Sequence, residues 1–344
     1  MKQRVYVGMS GGVDSSVTAV LLCEYGYDVT GVYMKNWSQD LPGMQCPWAE
    51  DLADAKRVAV QLGIDFKVFD FETEYRQKVV DYMLDEYRAG RTPNPDIMCN
   101  QEVKFRLFLD TALADGADMI ATGHYARVDH GRLLMAKDTN KDQTYFLYRV
   151  TSSALTRTLF PLGDLTKPEV RKIAEDHGLW TARKKESMGV CFVGNVGMRE
   201  FLSEYITTRP GDIIEKKSGA VLGRHDGAIF YTLGQRHGLD VGGGLPYYVV
   251  GKDMAKNEVY VSRNIHDEAM WRTEIPLGSM HWINEAPAMG EKLQARLRHR
   301  GALFDATYQD GLLRLVSGER AVAPGQSAVL YRGDECLGGG IVVV

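Results

Sequence analysis

The sequence has few cysteines, and they are not grouped. Five occur in 344 residues with no Cys-x-x-Cys pair, so zinc sites and iron–sulfur clusters are not expected. An odd number of widely spaced cysteines also argues against a structural disulfide framework. The five positions are Cys23, Cys46, Cys99, Cys191 and Cys336.

Long apolar runs and a strong net charge are missing as well. No apolar stretch approaches the length of a membrane span. The N-terminal residues lead directly into a strand, which predicts no signal peptide, no membrane contact and a cytoplasmic location. The net charge is −4, so a nucleic-acid-binding surface would need basic residues concentrated in one place.

The length of the chain predicts two or three domains. Its first part alternates apolar strands with helices, including a long amphipathic helix at 72–88, which indicates a parallel sheet covered on both faces. Short strands and glycine-rich turns follow from about residue 195, and from about Trp271 the pattern is typical of a small closed β-barrel. We predict an α/β, Rossmann-like domain at 1–195, a small mostly-β central domain at 196–270 and a C-terminal β-barrel at 271–344.

The turn after the first strand carries an anion-binding pattern. It reads Ser10-Gly11-Gly12-Val13-Asp14-Ser15-Ser16 and stands between a strand and a helix. Its glycines let backbone N–H groups approach a ligand, the helix N-terminus adds partial positive charge, and the serines add hydroxyl donors. An aspartate fits such a site when a metal ion bridges it to phosphate. The turn therefore predicts a nucleotide site that handles pyrophosphate with a divalent cation.

Other interpretations of this turn remain open. It lacks the Gly-Lys-Ser/Thr ending of a Walker A loop and the glycine spacing of the dinucleotide fingerprint. Residues 8–12 formally match the nucleophile elbow Gly-x-Ser-x-Gly, which would make Ser10 the nucleophile of a hydrolase. The elbow normally follows several earlier elements, and only one strand precedes it here. A turn without any ligand is the simplest alternative, although its composition exceeds what a plain connection needs.

Two cysteines stand in unusual surroundings. Cys99 follows a proline-stiffened loop, and a helix is expected to begin just after it. A thiol at a helix N-terminus has a lowered pKa, and Asp96 close by is suited to exchange a proton with it. A buried, unreactive Cys99 is the alternative. Cys191 is flanked by apolar residues, so its composition alone favours a structural role, whereas Cys46 lies in a polar loop, is expected to be exposed, and is ambiguous.

Several motifs together resemble one known family. Ser-Gly-Gly-x-Asp-Ser at 10–15 is the PP-loop of the ATP pyrophosphatases. Within that group, motifs along nearly the whole chain resemble the tRNA-specific 2-thiouridylase family. They are Asn94-Pro95-Asp96 with Cys99-Asn100, Ala121-Thr122-Gly123-His124-Tyr125, Lys141-Asp142-Gln143-Thr144-Tyr145-Phe146-Leu147, Ser187-Met188-Gly189-Val190-Cys191-Phe192 and Thr232-Leu233-Gly234-Gln235-Arg236.

The resemblance implies sulfur transfer to RNA. The expected reaction thiolates C2 of the wobble uridine in tRNAs for lysine, glutamate and glutamine, using ATP and Mg²⁺. Sulfur is expected as a persulfide on Cys191, delivered by a cysteine desulfurase or a sulfur-relay protein. Cys99 is then the second thiol, which forms a transient disulfide with Cys191, and Asp96 handles protons.

The resemblance also implies which residues bind each substrate. The residues expected at ATP are Gly8, Met9, Ser10, Gly11, Gly12, Val13, Asp14, Ser15, Met34 and Gly123, with Asp14 as the candidate for organising Mg²⁺. The flipped base is expected at Asn94, Pro95 and Asp96. Further tRNA contacts are expected at His124, Lys141, Asp142, Gln143, His299, Arg300 and Gln326. Arg296 and Arg298 add to a basic spot around Arg300, for which a solvated strand face is the alternative.

Two other functions compete with this one. A different PP-loop enzyme, such as an amide-forming synthetase, would need no pair of cysteines. A non-catalytic tRNA-binding protein with a relic nucleotide loop would release no pyrophosphate.

Overall fold

The computed structural model describes residues 2–40, 46–185, 197–242 and 244–343. Cys191 and its flanking motif lie outside these ranges. Among the described residues, no helix is long and apolar enough to cross a membrane.

A five-stranded parallel sheet organises the N-terminal domain. Its strand order is β3-β2-β1-β4-β7, with β5 and β6 forming a separate hairpin. The order reverses between β1 and β4, and ligands of open α/β sheets bind at the carboxyl ends of strands at such a switch point. The strands are β1 Arg4–Gly8, β2 Asp28–Lys35, β3 Asp65–Asp70, β4 Met119–Ala121, β5 Arg127–Asp129, β6 Arg132–Leu134 and β7 Thr158–Leu159.

Helices cover both faces of this sheet. Alternation along β1 places Val5 and Val7 in one buried cluster and Tyr6 in the other. The helices are α1 Val13–Glu24, α2 Trp48–Leu62, α3 Glu72–Tyr75, α4 Asp81–Arg88, α5 Pro95–Met98, α6 Phe108–Ala114, α7 Thr144–Leu147, α8 Ser152–Leu155 and α9 Lys167–Asp176. A 3₁₀ turn, Trp180–Arg183, follows α9.

Two of the helical stretches contain π-helical segments. Arg76–Val80 joins α3 to α4, so the helix predicted at 72–88 is confirmed as one continuous element. Cys99–Leu107 joins α5 to α6. The prediction that a helix begins after Cys99 is wrong, because the element starts at Pro95 and Asn94 caps it by accepting from Asp96 N–H at 3.2 Å. Cys99 therefore lies one turn inside a helix.

The rest of the chain is mostly β, as predicted. A central four-stranded sheet has the order β10-β11-β8-β9, and six further strands form a barrel that the pairing of β12 with β17 closes. These elements are α10 Met198–Tyr205, β8 Gly211–Glu215, β9 Val221–His225, β10 Tyr248–Asp253, β11 Glu258–Ser262, β12 Trp271–Trp282, β13 Leu293–Arg296, β14 Phe304–Gln309, β15 Leu312–Arg320, β16 Ser327–Arg332 and β17 Glu335–Val342, with 3₁₀ turns at Ala228–Phe230 and Glu268–Met270. The exact domain boundaries remain predictions.

The N-terminal domain extends the barrel sheet. Strand β6 pairs antiparallel with β17, with Leu133 opposite Cys336. Beside this seam, Tyr145 of α7 donates to Ser327 O at 3.0 Å. Helix α7 and the β5–β6 hairpin are therefore built against the barrel rather than on the sheet that precedes them.

Candidate functional site

A cavity of about 320 Å³ opens at the carboxyl ends of β1, β2 and β4. All the residues predicted to bind ATP line it except Gly11 and Gly12, which lie in the turn after β1, and Val13, the first residue of α1. Residues that the sequence did not single out also line it, including Asn36, Trp48 and Lys104. They come from distant parts of the chain, so no local pattern marks them.

The turn after β1 has the geometry of an anion cradle. Gly11 has a φ of 73° and lies against the backbone of α2, since a Cβ there would stand 2.5 Å from Asp51 O. Ser15 Oγ accepts from Ser10 N–H at 3.2 Å and donates to Gly12 O at 3.1 Å. No side-chain hydrogen bond caps α1, so its first N–H groups can serve a bound anion.

The hydrolase interpretation gains no support here. Ser10 Oγ lies 3.4 Å from Ser15 Oγ, and among the described residues none of its hydrogen bonds involves a histidine. A serine nucleophile needs such a base within hydrogen-bond reach.

Asp14 is held by a lysine that the sequence did not point to. Lys167 Nζ lies 2.6 and 2.8 Å from the two carboxylate oxygens of Asp14, and Tyr125 O–H donates to the same carboxylate at 2.9 Å. Lys167 is nearly buried and opens α9, whose capping box joins Thr166 and Glu169. The ammonium offsets a negative charge that would otherwise repel phosphate.

The hydrogen bonds of Asp14 determine how its carboxylate could help to bind the predicted Mg²⁺ ion. A carboxylate has about four lone-pair sites, so Asp14 retains acceptor capacity beyond its bonds to Lys167 and Tyr125. Within the described ranges, no group of three metal-binding side chains occurs. A Mg²⁺ ion held by Asp14 would therefore take most of its ligands from phosphate oxygens and water.

His124 forms part of the cavity wall rather than an outer surface. Its Nδ1 lies 2.8 Å from Thr122 Oγ1, and its ring packs against Phe105 and Phe160. Burial, followed by the charge of Lys104, holds the pKa of His124 well below its usual value. The imidazole is therefore neutral at physiological pH.

Cys99 and Asp96 lie on the same helical element as Lys104, which reaches the cavity. Cys99 is 2% exposed and belongs to a buried apolar cluster. Burial raises the pKa of Asp96, and the charge of Lys104 acts in the opposite direction. The predicted pairing of Cys99 with Cys191 involves a residue outside the described ranges.

The other described cysteines have settings of low reactivity. The expectation that Cys46 is exposed is wrong: it is buried in the cavity wall, and its Sγ donates to Trp37 O at 3.6 Å. Burial raises the pKa of the Cys46 and Cys336 thiols, which disfavours the nucleophilic thiolate.

Comparison with known proteins gives the family. Residues 3–195 match the model described as tRNA methyl transferase HUP domain, 199–263 the tRNA methyl transferase PRC-barrel domain, and 272–342 the Aminomethyltransferase beta-barrel domain. Proteins named tRNA-specific 2-thiouridylase MnmA from Bacillus thuringiensis (strain Al Hakam) and Bacillus subtilis (strain 168) are each 47% identical to this chain, over 98% of it and 94% of their own length. The chain belongs to the tRNA-specific 2-thiouridylase family.

A solved structure also resembles this 2-thiouridylase chain, although only weakly. It is titled a crystal structure of a 4-thiouridine synthetase–RNA complex with bound ATP, and it is 18% identical with a TM-score of 0.40, covering 59% of this chain and 50% of its own. A likeness at this level carries no argument about the site.

The tRNA contacts expected from the 2-thiouridylase family fall into different environments. Gln143 lines the cavity and accepts from Tyr125 N–H at 2.9 Å. Lys141 is partly exposed beside it. Asp142 is 2% exposed, and its side chain is bound by Arg296 at 2.7 Å. This ion pair lies at the seam between α7 and the barrel, and the tRNA contact at Asp142 stays a prediction.

The basic spot on the barrel contains fewer unpaired, exposed basic side chains than the sequence predicts. Arg298 is engaged by Glu319 and donates to Arg320 O at 2.7 Å. His299 packs against Phe146 with ring centroids 4.4 Å apart and ring planes tilted by 40°, and burial lowers the pKa of His299. Arg300 is exposed. Gln326 is half-buried, and its Nε2 donates to Thr92 O at 2.6 Å.

Proposed function

We propose that this chain is an ATP-dependent tRNA sulfurtransferase that converts the wobble uridine at position 34 to 2-thiouridine. The observation that carries the proposal is the shared wall of the cavity. The phosphate-binding turn lines the cavity through Asp14, which Lys167 holds, and Lys104, from the helical element that bears Asp96 and Cys99, lines it as well. One helical element thus connects the nucleotide cavity to the proposed thiol Cys99, which is itself buried and does not line the cavity.

ATP activates an oxygen that is otherwise a poor leaving group. Adenylation of O2 of uracil turns that oxygen into part of AMP and releases pyrophosphate. The turn from Gly8 to Ser15 holds the phosphates by backbone N–H and hydroxyl groups, and Met34 and Gly123 border the rest of the nucleotide. Mg²⁺ bound with the phosphates offsets their charge.

The base is received at the start of the Cys99 helix. A base must leave its stack for chemistry on its ring, and Asn94, Pro95 and Asp96 are the proposed contacts. The raised pKa of Asp96 brings its proton exchange closer to neutral pH, as proton transfer at the reacting base requires.

Sulfur transfer uses two thiols in sequence. The terminal sulfur of a Cys191 persulfide attacks C2 and displaces AMP, leaving a Cys191–S–S–C2 adduct. Cys99 thiolate then attacks Sγ of Cys191, the S–S bond breaks, and its electron pair stays on the sulfur now attached to C2. The resulting Cys99–Cys191 disulfide is reset by an external thiol. A cysteine desulfurase or sulfur-relay protein reloads Cys191, and the tRNAs for lysine, glutamate and glutamine are the proposed acceptors.

The labels of the family models name a different chemistry. Methyl transfer does not require a turn that binds the phosphates of ATP, whereas sulfur transfer with ATP does. The 2-thiouridylase relatives, aligned over nearly their whole length, favour sulfur.

Mass spectrometry of tRNA nucleosides tests the proposal. After incubation with ATP, Mg²⁺ and a sulfur donor, the wild-type protein should produce 2-thiouridine and release pyrophosphate only with tRNA. Cys99→Ser and Cys191→Ser should each abolish 2-thiouridine, while Cys23→Ser, outside the cavity, is the control. Lys167→Met should lower tRNA-dependent pyrophosphate release. Full thiolation by either site variant would overturn the sulfur relay, and pyrophosphate without 2-thiouridine would favour another PP-loop activity.

A further inference from the structure

Thr92, four residues before Asp96, is bound by both of the other domains. Its N–H donates to Pro324 O of the barrel at 2.9 Å, and its carbonyl accepts from Gln326 Nε2 at 2.6 Å. Its Oγ1 lies 3.0 Å from Oγ1 of Thr232 in the central domain. All three polar groups of this one residue are therefore satisfied from outside its own domain.

The contact with the barrel is close because of one glycine. Gly325 has a φ of 90°, and a Cβ on it would stand 2.8 Å from Thr92 N and 3.0 Å from Arg91 Cβ. Only glycine lets this turn lie flat against the loop. Gly325 N–H and Gln326 O are bonded to Val342 at 2.9 and 2.8 Å, which ties the turn to the last barrel strand.

The central domain presents Thr232 from a fixed turn. Thr232 N–H donates to Gln235 Oε1 at 3.0 Å, and Thr232 O accepts from Gln235 N–H at 3.0 Å. Next to it, Lys252 Nζ donates to Tyr231 O at 2.8 Å, and burial lowers the pKa of Lys252 to about 8. Thr232 is therefore part of an ordered surface and not of a loose loop.

We propose that Thr92, Thr232 and Gln326 are positioning residues. They fix the segment that leads into Asn94, Pro95 and Asp96, the proposed base contacts, relative to the proposed tRNA-binding barrel. The name three-domain junction is used here for these residues with Gly325. The loop continues directly into Asn94, Pro95 and Asp96, so a shift at Thr92 moves the group that handles protons at the base. This inference rests on the proposed function, which supplies the base and the tRNA.

The role differs from that of an RNA contact. The Nε2 of Gln326 is already used by Thr92 O, so the side chain acts on the loop before any RNA arrives. A residue that only grips RNA changes the KM for tRNA, whereas a residue that orients the reacting group changes kcat at saturating tRNA. Thr232 gives the sharper test, because the expected RNA contacts do not include it.

Steady-state thiolation kinetics separate the two roles. Gln326→Met and Thr232→Val keep side-chain size and remove one hydrogen bond each. We expect kcat to fall about three- to tenfold with the KM for tRNA changed less than about twofold. Thr232→Ser, which keeps the hydroxyl, should recover most of kcat. Thr92→Val combined with Thr232→Val should cost no more than either change alone, because both remove the same bond.

Two barrel variants serve as matched controls. Gln309→Met and Thr307→Val change the same residue types away from the junction. Amide hydrogen exchange gives a second readout that does not depend on activity. The exchange of residues 91–98 should become faster in the junction variants and stay unchanged in the controls. A raised KM with unchanged kcat in Gln326→Met, or a silent Thr232→Val, would overturn the inference. If the wild type makes no 2-thiouridine, the proposed function fails, and unchanged exchange would then remove the positioning role as well.

Discussion

At the scale of the residue, burial shifts the pKa values of two titratable groups in opposite directions. It raises the pKa of Asp96 and lowers that of His124, and Lys104 exerts its charge on both. Low dielectric disfavours the charged form of each group. The result is a site whose wall is neutral at His124 and whose carboxyl group exchanges its proton closer to the working pH.

The pH dependence of stability follows from the direction of the Asp96 shift. Because the folded pKa is raised above 3.8, folding favours the protonated form. The stability that this form contributes is fully present below about pH 3.8 and is lost as pH rises through the raised pKa. Asparagine cannot ionise, so Asp96→Asn should match the wild type at low pH and exceed its stability at neutral pH.

Urea unfolding midpoints across this pH range measure the effect, with the exposed Asp305→Asn as control. A stability difference between Asp96→Asn and wild type that is constant with pH would mean that burial does not raise this pKa. Thiolation activity should be lost in Asp96→Asn although the fold is more stable, which separates a functional cost from a structural one.

At the scale of the element, the cradle depends on how closely a strand–helix turn approaches the neighbouring helix. Gly11→Ala places a methyl group 2.5 Å from Asp51 O at a φ of 73°. The turn or α2 must move, so we expect ATP affinity to fall by about tenfold or more, a loss of roughly 1.4 kcal/mol. Gly26→Ala, at a φ of 84° with no atom within 4 Å, carries similar backbone strain without the clash. Calorimetric ATP titration of both variants checks this, and equal affinities would contradict it.

The elements also show where sequence patterns succeed and fail. The apolar stripe at 72–88 predicts a helix because its buried side chains repeat at helical spacing. The helix around Cys99 was missed because its prolines suggested a loop, although Asn94 followed by Pro95 is itself a good N-terminal signal. The π-helical segment from Cys99 to Leu107 left no sequence signal that we identified. The phosphate turn was found because its function is local, whereas Lys167 was not, because its contact with Asp14 spans 153 positions.

At the scale of the whole molecule, a buried ion pair joins the N-terminal domain to the barrel. Arg296 binds Asp142 at 2.7 Å with both side chains buried. Arg296→Met leaves the carboxylate without its cation and should cost about 3–5 kcal/mol of stability. Arg314→Met, which breaks an exposed pair with Glu274 at 3.0 Å, should cost about 1 kcal/mol or less. Chemical denaturation of the two variants makes the comparison, and equal losses would contradict the buried role.

Domain class was predictable from the sequence, but the joints between domains were not. Strand alternation and glycine-rich turns indicate a parallel sheet followed by β domains, since each pattern is set by local burial. The pairing of β6 with β17, the Asp142–Arg296 pair and the contacts of Thr92 connect residues far apart in the chain. The sequence motif around Asp142 therefore does not indicate its pairing with a barrel arginine, Arg296.

The seam between β6 and β17 has a consequence for biosynthesis. Arg127, in the β5–β6 hairpin, and its partner Asp334 are 207 positions apart. After synthesising the hairpin, a ribosome therefore takes roughly 10–40 s to reach β17, the strand that pairs with β6. During that interval the amino-terminal half exposes an unpaired ribbon, which is a template for wrong partners. A nascent or prematurely terminated polypeptide would therefore need protection by chaperones.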